Sequence, residues 1–142
     1  MLFDTHAHYD DSRFDADRDQ VLSSLPGAGV GWVMNPGCDL PSSRMAVELA
    51  KRFPHVYAAV GIHPGDCQDY EPGQLDQLRR LARENPKVVA IGEIGLDYYW
   101  KDNPPRELQQ QCFRDQLALA RELNLPAVVH DREAHQDSMA IV

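Results

Sequence analysis

Lys87-Val88-Val89-Ala90-Ile91-Gly92-Glu93 is the stretch that decides the fold. Five residues without a polar side chain run from Val88 to Gly92, and a carboxylate ends the run. A strand with one wet face alternates apolar and polar residues. A strand covered on both faces reads as an unbroken apolar run, as in a parallel sheet. The same form recurs at 30–35 (Val-Gly-Trp-Val-Met-Asn), 56–62 (Val-Tyr-Ala-Ala-Val-Gly-Ile) and 126–130 (Pro-Ala-Val-Val-His), with a short strand at 2–6. The spacing predicts helices between these strands, over about 15–25, 41–53, 72–84 and 106–123, and the opening of a fifth over 133–142. Gly27 and Gly29 stop the first helix, Pro36-Gly37 breaks the second strand, and Pro41 opens the second helix, where its missing N–H costs nothing. The helix over 106–123 sets Leu108, Cys112, Leu117, Leu119 and Ala120 on or near one side. Such alternation implies right-handed βαβ units in one α/β domain spanning 1–142, without linker, repeat or low-complexity segment.

Polar residues that carry chemistry collect where these strands end. In either a parallel barrel or an open doubly wound sheet, that edge binds ligands. No glycine-rich phosphate loop follows strand one, where Tyr9-Asp10-Asp11-Ser12 stands instead, so dinucleotide binding is disfavoured. Asp4, His6 and His8 alternate at the end of the first strand and share a face, so two imidazoles converge on one spot. Imidazole is the commonest ligand for a divalent transition metal. Two buried histidines on one strand face would each need separate partners otherwise. Asp4, one layer deeper, is placed to orient a ligand imidazole by accepting its second N–H. Glu93 needs a cation, from a metal or an ion pair, and can offer one oxygen to each of two ions. Gly92 and Gly95 beside it let other groups approach closely. Asp97 is a second carboxylate at the same rim, either behind the ligands or as a helix cap. His130 closes the fifth strand, as a ligand or bonded to a backbone carbonyl. Arg132 can grip a phosphate or pair with a neighbouring acid. His63 is held extended by Pro64, and the roles of ligand, proton-transfer group and phosphate donor are all open to it. His55 and His135 read as surface residues. Tyr98, Tyr99 and Trp100 form an aromatic patch beside the site, fit for stacking bases or for wall packing.

Composition narrows the function classes. The chain is 43% hydrophobic, enough for a packed core. No apolar run approaches the roughly 18–20 residues that span a bilayer, so no membrane partner is expected. Met1-Leu2-Phe3-Asp4 does not read as a signal peptide. Three scattered cysteines, Cys38, Cys67 and Cys112, argue against a disulfide framework and fit the cytoplasm. The net charge of −8 argues against broad, non-specific duplex binding. A polyanionic substrate would need bound metals and local cations to offset it.

Four motifs occur in a fixed order: Asp4-Thr5-His6-Ala7-His8, Gly61-Ile62-His63-Pro64, Gly92-Glu93-Ile94-Gly95-Leu96-Asp97-Tyr98 and Val129-His130-Asp131-Arg132-Glu133-Ala134. Together they resemble the TatD family of metal-dependent hydrolases and deoxyribonucleases, a branch of the amidohydrolase-like TIM barrels, along the whole chain. The resemblance implies a parallel (β/α) barrel of TIM type, truncated here to about five of eight βα units. It implies two divalent ions (zinc, manganese or magnesium), one held by His6, His8 and Glu93, the second sharing Glu93 and taking His130. It further implies hydrolysis of DNA, as single strands or duplex ends, by a two-metal mechanism. Glu93 and His63 are then the catalytic candidates, and His63 and Arg132 the substrate-binding ones, with Asp4 and Asp97 behind the ligands.

Members of that family run to roughly 260 residues and eight strands. Their next ligating His, after strand six, and their Asp after strand eight have no counterpart here. The chain is therefore expected to be an N-terminal portion with weak or absent catalysis of its own, and with strand edges open to self-association. A related amidohydrolase acting on C–N or ester bonds, and a non-catalytic fragment, are the alternatives.

Overall fold

A computed structural model describes residues 1–142. Its elements run β1 (Leu2–Asp4), α1 (Arg18–Ser24), β2 (Val30–Pro36), α2 (Leu40–Arg52), β3 (Val56–Val60), α3 (Gly73–Glu84), β4 (Val88–Asp97), α4 (Arg106–Leu123), β5 (Ala127–Arg132) and α5 (His135–Ile141). Short 3-10 turns cover Ser12–Phe14, Pro26–Ala28 and Pro64–Asp66. All five strands are parallel and lie in chain order from β1 to β5. Each crossover moves one place the same way, so the sheet curls into a half-barrel with the strand C-termini along one rim.

Two clusters mark the two sheet faces. The larger joins α2, α3 and α4 to the sheet through Ala46, Leu49, Leu78, Phe113 and Leu119 against Ala58, Val60, Ile91 and Ile94. Met34, Ala59 and Ala90 form a smaller one. Ala59 alternates with Ala58 and Val60, so this smaller cluster lies on the opposite, concave face. Helix α2 starts in a reciprocal cap: Asp39 Oδ1 accepts from the Ser42 N–H at 2.8 Å, and Ser42 Oγ accepts from the Asp39 N–H at 3.0 Å.

Three expectations are corrected. The fourth strand does not end at Gly92 but runs on to Asp97, so Glu93 sits inside β4 and Asp97 ends it. Gly95, at φ +142°, makes this continuation possible, because any Cβ there would fall on the His130 carbonyl. Burial on both faces holds for β3, β4 and the C-terminal half of β2 (Val33–Pro36); β1 is exposed throughout and β5 has no buried residue, and no strand pairs with their outer edges. The first strand stops at Asp4, although the Ala7 N–H still reaches the Met34 carbonyl at 3.1 Å.

Candidate metal centre

The rim of the half-barrel gathers His6, His8, His63, Glu93 and His130 from segments far apart in sequence. His6 and His8 follow β1 in an extended segment hydrogen-bonded to β2, so alternation still puts them on one side. Glu93 comes from inside β4 and His130 from β5, where His130 pairs in register with Gly95. His63 follows β3, its backbone N–H donating to the Cys38 carbonyl at 2.7 Å.

These donors form two sets with Glu93 common to both: His6, His8 and Glu93, and His63, Glu93 and His130. In the first, Glu93 Oε2 lies 3.3 Å from His6 Nε2 and 3.7 Å from His8 Nε2, and the two Nε2 atoms are 3.2 Å apart. Ligands at about 2.0–2.2 Å from a tetrahedral ion stand about 3.3–3.6 Å from one another. The three spacings fall on or just outside those edges, so the donor set is close to what a single small cation needs. The other oxygen, Glu93 Oε1, lies 3.0 Å from His130 Nδ1. One carboxylate thus faces each set with a separate oxygen.

Behind the donors stand two carboxylates, one of them unexpected. Asp97 Oδ2 lies 2.9 Å from His130 Nε2, which leaves Nδ1 turned toward Glu93. Asp10 Oδ1 lies 3.6 Å from His8 Nδ1, and Asp10 is held by Asn35 Nδ2 at 2.9 Å. Carboxylates on the far ring nitrogen fix the orientation of ligating histidines. The expectation that Asp4 would do this is corrected: Asp4 Oδ1 accepts from the backbone N–H of His6 at 3.1 Å instead. Strand β1 ends at Asp4, and the following bend takes its carboxylate out of line with the imidazoles. Asp97 caps no helix; its Oδ1 accepts from the Tyr99 N–H at 3.0 Å.

Four residues that build the site lie outside the motifs singled out in the sequence: Asp10, Asn35, Gln109 and Gln116. Asn35 is fully buried and accepts from the N–H groups of Tyr9 and Asp10 at 2.7 and 3.2 Å, shaping the loop that carries His8. Gln116 accepts from the Ile62 N–H at 2.7 Å and donates to the Ile62 carbonyl at 3.0 Å, next to His63. Gln109 does the same for Asp97, at 2.9 and 3.1 Å. The signal for the glutamines was available. Positions 109, 112, 113, 116, 119 and 120 follow helical spacing and are the buried stripe of α4, with Leu108 and Leu117 only flanking it.

Proton positions follow from these contacts. Burial pushes the Glu93 carboxyl up, but the His130 hydrogen bond and the neighbouring histidines pull it further down, below its ordinary range. The Glu93 hydrogen bond, with Asp97 behind it, holds His130 above its usual value. Asp10 raises His8 in the same way. Burial and the charge of His130 push His63 down. His63 Nδ1 accepts the Gly65 N–H at 2.9 Å, so in neutral His63 the proton resides on Nε2, a donor rather than a lone pair. Arg132 pairs with no acid; its guanidinium lies 3.9 Å from the ring centre of Tyr99. His55 and His135 lie apart from the site, bonded to the Leu22 carbonyl and to Asp131.

Comparison with known proteins places the chain in a family. The model of the TatD related DNase family matches residues 3–142. The metal-dependent hydrolase YabD of Bacillus subtilis is 40% identical over 142 residues, covering 100% of this chain and 55% of YabD. The 3'-5' ssDNA/RNA exonuclease TatD of Salmonella typhimurium is 36% identical, covering 99% of this chain and 54% of its own length. The crystal structure of the TatD homologue YjjV of Escherichia coli superposes with a TM-score of 0.89 at 36% identity, over 98% of this chain and 54% of YjjV. A TatD family hydrolase from Entamoeba histolytica gives 0.90 at 26% identity, over 99% and 52%. The chain spans about half the length of the curated relatives it matches. No helix is long and apolar enough to cross a membrane. The family model and the TatD structural neighbours coincide on one conclusion: the chain belongs to the TatD related DNase family.

Proposed function

We propose that this chain supplies the metal-binding half of a two-ion phosphodiester hydrolase acting on single-stranded DNA or RNA and on duplex ends. The observation that carries the reading is Glu93, whose two oxygens face two separate donor sets. His6, His8 and Glu93 hold one divalent cation; Glu93 and His130 hold the other. Mixed nitrogen and oxygen donors favour zinc or manganese over magnesium. When bound, the ions supply Lewis acidity toward a phosphoryl oxygen and toward water. Asp97 and Asp10 keep His130 and His8 turned to the site. His63, neutral and carrying its proton on Nε2, donates to a phosphate oxygen. Arg132, free of any acid, adds positive charge where the substrate is anionic. The nucleic acid class is carried over from relatives named as ssDNA/RNA exonucleases. A cytoplasmic location suits the three free thiols, and the unpaired edges of β1 and β5 favour self-association.

Titration of the chain with zinc or manganese tests the centre: two cations per chain are expected, and none after Glu93→Ala. Cleavage of a labelled single-stranded oligonucleotide that depends on Glu93 supports the substrate class. Turnover of small amides or lactones in preference to the oligonucleotide would overturn it.

A further inference from the structure

Resting on the nuclease reading, we propose that Tyr99, Trp100 and Arg132 form a platform on which a nucleobase of a single-stranded nucleic acid stacks beside the metal centre. Tyr99 and Trp100 are adjacent, large and exposed, at 49% and 57%. Their rings meet edge to face with centres 4.8 Å apart. The Arg132 guanidinium covers both, 3.9 Å from the Tyr99 ring centre and 5.3 Å from that of Trp100. In a chain of net charge −8, this arginine nevertheless takes no carboxylate partner. Its stacked face is committed to the rings, and its edge N–H groups stay open to an anion.

The platform is built onto the centre through one carboxylate. Asp97 accepts the Tyr99 N–H on one oxygen and meets His130 Nε2 with the other. Arg132 stands two residues beyond His130 on β5 and pairs in register with Asp97. Rings and guanidinium therefore share their anchor with the Glu93–His130 pair. An enzyme that cuts single strands of any sequence needs a grip indifferent to base identity. Aromatic faces provide one, because every base has a π-face, and arginine holds the adjoining phosphate.

The test uses Trp32→Phe, which leaves Trp100 as the single tryptophan. In chelator, so that nothing is cleaved, its fluorescence is titrated with a short oligothymidylate and with an abasic backbone of equal length. Saturable quenching by the oligothymidylate is expected, with the abasic strand binding about tenfold more weakly or worse. In the parent chain, Tyr99→Ala and Trp100→Leu, each exposed, remove that difference when binding is followed by fluorescence anisotropy of labelled strands. Equal affinity for the two strands, or no quenching, overturns the platform. The two readings fail separately. Cleavage that depends on Glu93 without base discrimination sinks the platform alone; base-dependent quenching together with preferential turnover of small amides or lactones leaves it standing and sinks the nuclease.

Discussion

The two donor sets that share Glu93 are built differently. The set with His6 and His8 sits on the outermost strand side, with His6 exposed and the two Nε2 atoms facing each other across 3.2 Å. Two facing imidazole nitrogens can share at most one proton, so this arrangement gains most from a cation between them. The set with His130 draws on the opposite edge strand, β5, but its imidazole is less exposed than that of His6. Its imidazole already bonds two carboxylates, Glu93 and Asp97, and is half-buried. One set is organised for an ion; the other is also organised without it. The lesson is that ligand spacing and structural self-sufficiency are separate properties, set here by the carboxylates that each imidazole already meets, since β1 and β5 are both edge strands.

The largest effect that would break this contrast comes from Glu93→Gln. Both cations are expected to be lost together, because each set loses its only carboxylate; retention of one, seen by metal analysis, would show that the sets do not depend on a common group. Next come the histidines. His130→Ala leaves Glu93 Oε1 and Asp97 Oδ2 without a partner and should cost the metal-free chain about 1–3 kcal/mol in denaturant unfolding. His6→Ala should stay within about 0.5 kcal/mol there while abolishing one ion. Equal costs would erase the distinction.

A smaller, graded effect is expected with pH. His130 titrates above its ordinary 6.5 and Glu93 below its ordinary 4.5. The His130 contribution is present in full below about pH 6.5 and fades as pH rises through its raised value. The Glu93 contribution is present above about pH 4.5 and fades as pH falls through its lowered value. The metal-free chain should therefore be most stable in the mildly acidic window between. Cations compete with protons for His8 and His130, so their binding strengthens as pH rises. Melting curves should show a zinc-induced rise in Tm that widens from about pH 5.5 to 8. A rise independent of pH would mean that neither histidine binds the ion.

Much of this was legible in the chain itself. Unbroken apolar runs at 30–34, 56–62 and 88–92 identify parallel strands, and polar residues at their ends mark the rim. The limits of that reading are physical. Gly92, Glu93 and Gly95 resemble a strand ending in a loop, yet the ladder continues because β5 packs directly on the glycine backbone. Asp4 lies in the correct alternation with His6 and His8, but a bend after it hands the orienting role to Asp10. Asn35, Gln109 and Gln116 are polar, so patterning assigns them to water. They are buried because each makes several hydrogen bonds to backbone or side-chain groups that no ladder reaches.

Gln109 and Gln116 carry one more implication. They stand two turns apart on a single helix, and each holds a peptide group of a different strand end, one before His63 and one at Asp97. The outer layer is thereby a ruler for the inner one. Sliding α4 by a fraction of a turn would displace both ends of the site in concert, so the register of a helix remote from any ion sets the width of the mouth.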